Sequence, residues 1–377
     1  MIIEIYERMA GTGLEFKKIG TTRRAFDISY SDAWNDRADF EFSMSARADY
    51  AKSIGKESVV CIDRNFWGVV TSINKDQDEK HIYTFTGVSI AWWLLSSRVT
   101  IPTDYTSTDG LAGYDVYNGW TDAVIKHFWN NNMINPTQSG RKIPGVITTG
   151  TMQIGVSDDK YMTRFENLAD VTKTLCENVK IGFFADVNVI ENSITFDCKS
   201  GTNRTASQNQ NARAILSIDR RNIASMHYEL DVTDYKNAYY VTRSGAEFAD
   251  EALTMLYYRD DTIKKGFERR EVWNEISVQE PTQGDEYTEL KKQSQKKMDE
   301  SKEQEAFTCA LAPNSGYRAV WNVGDTVTVA WKEEGITADM QVISVTVSGD
   351  ENGINYTAKF GESKPKFVPI GNQILKI

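Results

Sequence analysis

Histidine is almost missing: His81, His127 and His227 are the three in 377 residues. They share no motif, and H-E-x-x-H does not occur, which removes the zincin class. The structural expectation for each is a surface or partly buried side chain. Cys61, Cys176, Cys198 and Cys309 stand far apart, with no C-x-x-C and no short Cys/His spacing. That argues against a structural zinc site and a disulfide framework, and predicts free, mostly buried thiols in a reducing compartment. Proline is scarce at 7 residues and glycine ordinary at 25, which excludes collagen-like and low-complexity classes. The longest uncharged hydrophobic stretch, Val88 to Ser97, is too short to span a bilayer. The first residues, Met1 to Arg8, mix apolar and charged side chains and read as a strand rather than a signal peptide. The G-x-S-x-G elbow, the phosphate loop and G-x-G-x-x-G are all absent, so common hydrolase and nucleotide-binding folds lose their signatures. Basic charge is also short: 43 Lys and Arg against 53 Asp and Glu give a net charge of −10. An acidic chain does not grip phosphates.

Aromatics are abundant, with 9 Trp, 17 Tyr and 16 Phe, so the chain folds. Its length sets a prior of about two to three domains. The first hundred residues alternate as strands. Candidates are Ile2–Glu7, Leu14–Ile19, Ala25–Tyr30, Ala38–Ser45, Ser58–Asp63, Phe66–Ile73 and His81–Gly87. Phe26, Ile28 and Tyr30 share one face at period two, as do Phe40, Phe42 and Met44. Tight turns between short strands predict a small barrel or sandwich, followed by a short helix at Ser89–Ser97. Thr103–Gly119 reads as loop. Helices are expected at Thr121–Asn130, capped by Thr121 or Asp122, and at Asn167–Cys176. A hairpin follows at Ile181–Val187 and Asn192–Cys198, then a polar loop over 201–211 and strands at Asn222–Asp231 and Asn237–Arg243. Gly284–Glu305 predicts a charged connector helix; Leu290 and Met298 are too sparse for a coiled-coil stem. Gly324–Trp331, Gln341–Val347 and Asn355–Gly361 return to β structure. No strict internal repeat is visible, although both ends share a strand-turn rhythm.

Carboxylate pairs are the remaining catalytic option. Asp231 with Asp234, and Asp158 with Asp159, are adjacent, but 53 acidic residues place such pairs by chance. Trp92, Trp93 or Trp120 could stack a sugar, though tryptophan in a β-rich chain is more often core. No catalytic, cofactor-binding or metal-binding residue is assigned, and no cofactor is expected.

Several segments taken in order carry a resemblance. They are Phe26–Trp34, Phe40–Met44, Asp63–Ile73, Tyr83–Arg98, Asp234–Thr242, Tyr317–Val329, Gln341–Val345 and Tyr356–Glu362. Together the chain resembles the tail hub proteins of long-tailed bacteriophages, including the hub region of tail-associated lysins and the baseplate hub of contractile tails. The resemblance implies an α+β, β-rich fold: two small β-barrel modules with inserted α+β modules, assembling as a ring. The modules fall at 1–100 (first barrel), 101–215 (α+β), 216–245 (strands completing the second barrel), 246–310 (α+β with the connector helix) and 311–377 (second barrel). It implies a non-enzymatic homotrimer of pseudo-sixfold symmetry in the virion, made in the bacterial cytoplasm. A distal tail or tube ring would sit above it, with a spike, fibre or receptor-binding component below. DNA would pass without specific binding, and the chain would not insert in a membrane. Longer members continue into a peptidase or fibre region; this sequence stops at Ile377, so lytic activity is expected on a separate chain. Acidic loops at strand turns are the expected channel lining: Asp76, Asp78, Glu79, Asp350 and Glu351. Competing readings are a carbohydrate-active enzyme or binding module, and the hub of a DNA-free contractile injection device.

Overall fold

The computed structural model describes residues 1–9, 14–76, 81–103, 105, 113–157, 159–243, 254–276, 298, 301, 304–350, 353–361 and 366–367. The chain forms two compact units. The larger comprises Met1–Thr106, Gly113–His227 and Phe307–Ile377; the smaller comprises Ser107–Ala112 and Tyr228–Ala306.

In the larger unit the first strands are β1 (Ile3–Tyr6), β2 (Lys18–Thr22), β3 (Phe26–Ala33), β4 (Asp39–Ser45), β5 (Val59–Ile62), β6 (Phe66–Lys75) and β7 (Ile82–Ser89), then helix α1 (Ile90–Ser96). Period-two alternation locates nearly all of them. Phe40, Phe42 and Met44 are buried as expected. Phe26 is not: the β3–β4 ladder shifts register between Phe26 and Ser29, where Asp27 takes a left-handed φ of 49°. The bulge turns Phe26 outward while Ile28 and Tyr30 stay inside.

The inserted α+β part holds β8 (Asp115–Gly119), α2 (Thr121–Trp129), β9 (Val146–Thr148), β10 (Asp159–Thr163), α3 (Leu168–Val179), β11 (Gly182–Asn188) and β12 (Ser193–Lys199). Val124, Ile125, Phe128 and Trp129 of α2 and Leu168, Val171 and Leu175 of α3 pack into one core with Phe196. Two expectations change here. Residues 115–119, read as loop, form β8 because Asp159–Thr163 pairs with them. Neither Thr121 nor Asp122 caps α2; Trp120 holds the cap position. The two side chains instead hold the segment crossing the helix start. The Thr121 hydroxyl accepts from the Val156 amide at 3.1 Å, and the Asp122 carboxylate accepts from Met152 and Ile154 amides at 2.7 and 3.1 Å.

Next come β13 (Ile215–Ser217) and β14 (Ile223–Asp231). The smaller unit is a three-stranded sheet of β15 (Ala238–Arg243), β16 (Thr254–Tyr258) and β17 (Glu271–Ile276), in which Tyr239 and Val241 pack against Met298. The chain ends with β18 (Gln304–Leu311), β19 (Thr326–Trp331), β20 (Ile336–Asp350), β21 (Gly353–Phe360) and β22 (Lys366–Phe367). The expected connector helix at 284–305 lies almost wholly outside the described residues; Gln304 and Glu305 belong to β18.

The two ends do not close into separate barrels. Among the described residues no barrel closes, and the strands instead form one open sheet in the order β14-β18-β21-β20-β3-β4-β7-β6-β5-β1-β2. The junction is β20 against β3, antiparallel from Ser344↔Ala33 to Gly349↔Ile28. Trp34 anchors it. Its ring is buried, and a Cβ at Gly182 or Gly324 would lie 2.5 or 2.2 Å from it, so both neighbours must be glycine.

The two halves of this sheet repeat one pattern. β6 pairs first with β5, then bulges at Thr71, then continues along β7. β20 pairs first with β19, bulges at Ile343, then continues along β21. At the crossover Glu57 N donates to Val70 O at 2.8 Å and Val70 N to Ser58 O at 2.9 Å. In the other half Gly324 N donates to Val342 O at 2.7 Å and Val342 N to Asp325 O at 2.9 Å. Aligning the bulges matches Ser72 with Ser344, Phe85 with Ala358 and Phe40 with Phe307. Strand for strand, β6-β7-β4-β3 corresponds to β20-β21-β18-β14.

Candidate functional site

One face of the joined sheet is apolar and buried. Its cross-strand row runs Leu311, Tyr356, Val347, Tyr30, Phe40, Gly87, Val70. The Phe40 ring lies across the strand glycines; a Cβ at Gly87 would meet Val69 O at 2.0 Å and the Phe40 ring at 2.6 Å. Tyr317 braces the junction by donating its hydroxyl to Asp32 Oδ2 at 2.7 Å. Burial, with the Asp32 charge beside it, pushes the Tyr317 phenol well above its ordinary range, so it stays a neutral donor.

The opposite face is polar. Its matching row runs Asn355, Ser348, Ser29, Glu41, Thr86, Ser72 across six strands, with one charge. Thr357, Thr346 and Ser31 form a second row beside it. Ser43 and Thr84 face each other at 3.0 Å. Asp39 is paired with Arg37 at 2.6 Å, and a shallow open recess of about 330 Å³ lies between Ser29, Ser31, Asp39, Glu41, Thr71 and Thr86. Such a surface offers mostly hydroxyls to water; its acidic Asp39 and Glu41 are balanced by Arg37 and Lys359, so it presents little net charge to a polyanion. Its signal was present in the sequence as Ser/Thr alternating with apolar residues, in Ile28–Ser31, Tyr83–Thr86 and Ser344–Ser348.

Two of the expected lining residues, Asp76 and Asp350, sit at the ends of equivalent hairpins. Asp76 follows β6, is exposed, and donates its amide to Ile82 O at 3.0 Å. Asp350 ends β20, opposite Gly353. Asp78, Glu79 and Glu351 lie outside the described residues.

The other candidates do not converge. Asp231 is exposed and accepts from the Thr233 amide at 2.8 Å; Asp234 is exposed as well. Asp158 lies outside the described residues. Trp92 and Trp93 pack against the larger core. His227 is exposed on β14 and His81 precedes β7. His127 stacks on Tyr117, with Nε2 2.7 Å from the buried Asp115 carboxylate. The four cysteines are buried and unbonded to one another, and burial pushes the Cys61 and Cys309 thiols up to about 12. Among the described residues no cluster of His, Cys, Asp or Glu could hold a metal ion, and no helix is long and apolar enough to cross a membrane.

One buried charge group is structural. Lys126 Nζ lies 2.6 Å from Asp197 and donates to Gly150 O at 2.8 Å and Thr149 Oγ1 at 3.1 Å. Burial pushes the Asp197 carboxyl up, but hydrogen bonds from Lys126, Thr149 and the Cys198 amide, with the Lys126 charge, hold it below its ordinary value. Every buried side-chain nitrogen and oxygen among the described residues has a partner.

A long sheet with one apolar and one hydroxyl-lined face carries the inserted α+β part. The chain is similar in fold to the 43 kDa tail protein of prophage MuSo2 from Shewanella oneidensis, with a TM-score of 0.56, 12% identity, and coverage of 96% of this chain and 98% of that one. It is likewise similar to a tail protein from Neisseria meningitidis, with a TM-score of 0.53, 13% identity, and coverage of 96% and 97%. A chain of the Francisella PdpA–VgrG complex matches with a TM-score of 0.51 at 8% identity, over 98% of this chain and 54% of that one. No curated protein sequence matches. Residues 2–362 match the family described as Siphovirus ReqiPepy6 Gp37-like protein, and the chain belongs to that family.

Proposed function

We propose that this chain is a structural hub of a phage tail tip, three copies of which form a ring around a conduit for the genome. The observation that carries the reading is the hydroxyl-lined face shared by both ends of the chain. A DNA conduit needs a wettable wall that does not bind phosphates, because each Lys or Arg contact adds affinity by counterion release. On this reading Asp76, Asp78, Glu79, Asp350 and Glu351 rim the conduit. A tube ring docks above and a spike, fibre or receptor-binding component below. The chain carries no catalysis, and it works in the virion after synthesis in the bacterial cytoplasm. Imaging of assembled tails tests this: three copies in a ring below the tube, polar face inward, are expected. A ring with this face turned outward, or a strict monomer within the particle, overturns it. Finding no nucleic acid in the particle would move the chain to a DNA-free device.

A further inference from the structure

The segment Tyr83–Arg98 ends on an arginine that belongs to neither face of the long sheet. It meets Arg141, which lies between α2 and β9. Arg98 Nε donates to Arg141 O at 3.2 Å, and Arg141 in return donates to Val99 O. One terminal nitrogen of Arg98 is spent on Ser97, with O at 3.2 Å and Oγ at 3.0 Å. A terminal nitrogen of Arg141 donates to Asn132 Oδ1 at 3.1 Å. Asn132 is fully buried on the π-helical turn Asn130–Ile134 that continues α2, an irregularity that recurs at functional sites. Its Nδ2 donates to Phe128 O at 2.9 Å and its Oδ1 also accepts from Ile101 N at 3.0 Å, so it holds Arg141 in one orientation.

Every acceptor in this group is a neutral oxygen. Both guanidiniums are half-buried, and no carboxylate among the described residues pairs with either. The second terminal nitrogen of Arg98 and the Nε of Arg141 have no protein acceptor. Burial disfavours both charges, and Arg98 adds repulsion at Arg141. The neighbouring cation, Lys142, also ends on a neutral oxygen, Asn135 Oδ1 at 3.4 Å. We propose that Arg98 and Arg141 together bind an oxyanion, a phosphate or carboxylate group. Guanidinium forks match the oxygens of such groups, and a bound anion supplies the missing countercharge. None of these residues lies in the long sheet, so the site stands apart from the conduit reading.

Titration of the full chain with sodium phosphate, and separately with sodium acetate, tests it, with ionic strength held constant by sodium chloride. The expected result is a saturable rise in melting temperature, because a ligand of the folded state alone stabilises it as its site fills. A stronger response to phosphate assigns a phosphate group; a stronger response to acetate assigns a carboxylate. Arg98→Lys and Arg141→Lys keep the charge and lose the fork, so each should raise the half-saturating concentration about tenfold or more. Lys52→Gln, at an exposed lysine, should leave it unchanged. No saturable response to either anion in the parent chain overturns the proposal. A response that both lysine variants retain in full also overturns it, because the anion would then be bound elsewhere.

Discussion

Trp34 shows how much one side chain can hold. It sits where β3, the β11–β12 hairpin and the turn before β19 meet, against Gly182 and Gly324, with its indole N–H on Lys180 O at 3.3 Å. Trp34→Ala should cost about 3–5 kcal/mol, read from the urea unfolding midpoint. The Lys126–Asp197 pair makes a pH prediction. Asp197 is 7% exposed and its folded pKa is depressed. Its contribution is therefore complete above the ordinary carboxylate range and is lost as pH falls through the folded value. Asp197→Asn should be clearly less stable than the parent at pH 7, and the gap should narrow below about pH 4. Equal gaps at both pH values would show that the carboxylate charge is not what stabilises the site. Alternation alone made Phe40, Phe42 and Met44 legible as core. It could not show that Asp27 would take a left-handed turn and put Phe26 outside.

At the level of elements, α2 was legible but its start was not. Thr121 and Asp122 are the residue types that cap helices, and the sequence gives no hint that their oxygens serve amides some thirty residues away. Asp122→Asn should leave the helix intact and loosen the segment it holds. Exchange of the Met152 and Ile154 amides should rise at least tenfold, with the Ile125–Trp129 amides unchanged. The strands that the alternation missed include β8, β9, β10, β13, β16 and β17, which are short or pair with distant segments, and the longer β18, whose first two residues read as connector helix. Three to six residues carry too little periodicity to announce themselves.

For the whole molecule, similar rhythm at the two ends was readable, and their fusion into one sheet was not. Nothing in a strand names its partner when the partner lies about 300 residues away. The polar face makes the prediction at this scale. Glu41→Lys or Ser31→Lys adds a phosphate-gripping group to the proposed conduit wall. Each should slow genome ejection several-fold at low salt, less at high salt, with tail assembly unchanged. Unchanged ejection at every salt concentration would place this face away from the DNA path.

The β20–β3 junction also sets a clock. A ribosome that has just released β3 must add roughly 300 residues before β20 emerges, about 15 to 60 s at bacterial elongation rates. Throughout that interval the N-terminal half carries a bare, pairing-competent strand in a cytoplasm crowded with nascent copies of itself. The bulge at Asp27 ends the regular part of that strand, so the waiting edge runs only from Ile28 to Ala33, and a short edge is a poorer template. The irregularity that hid Phe26 from the sequence pattern would thus protect the chain during its own synthesis.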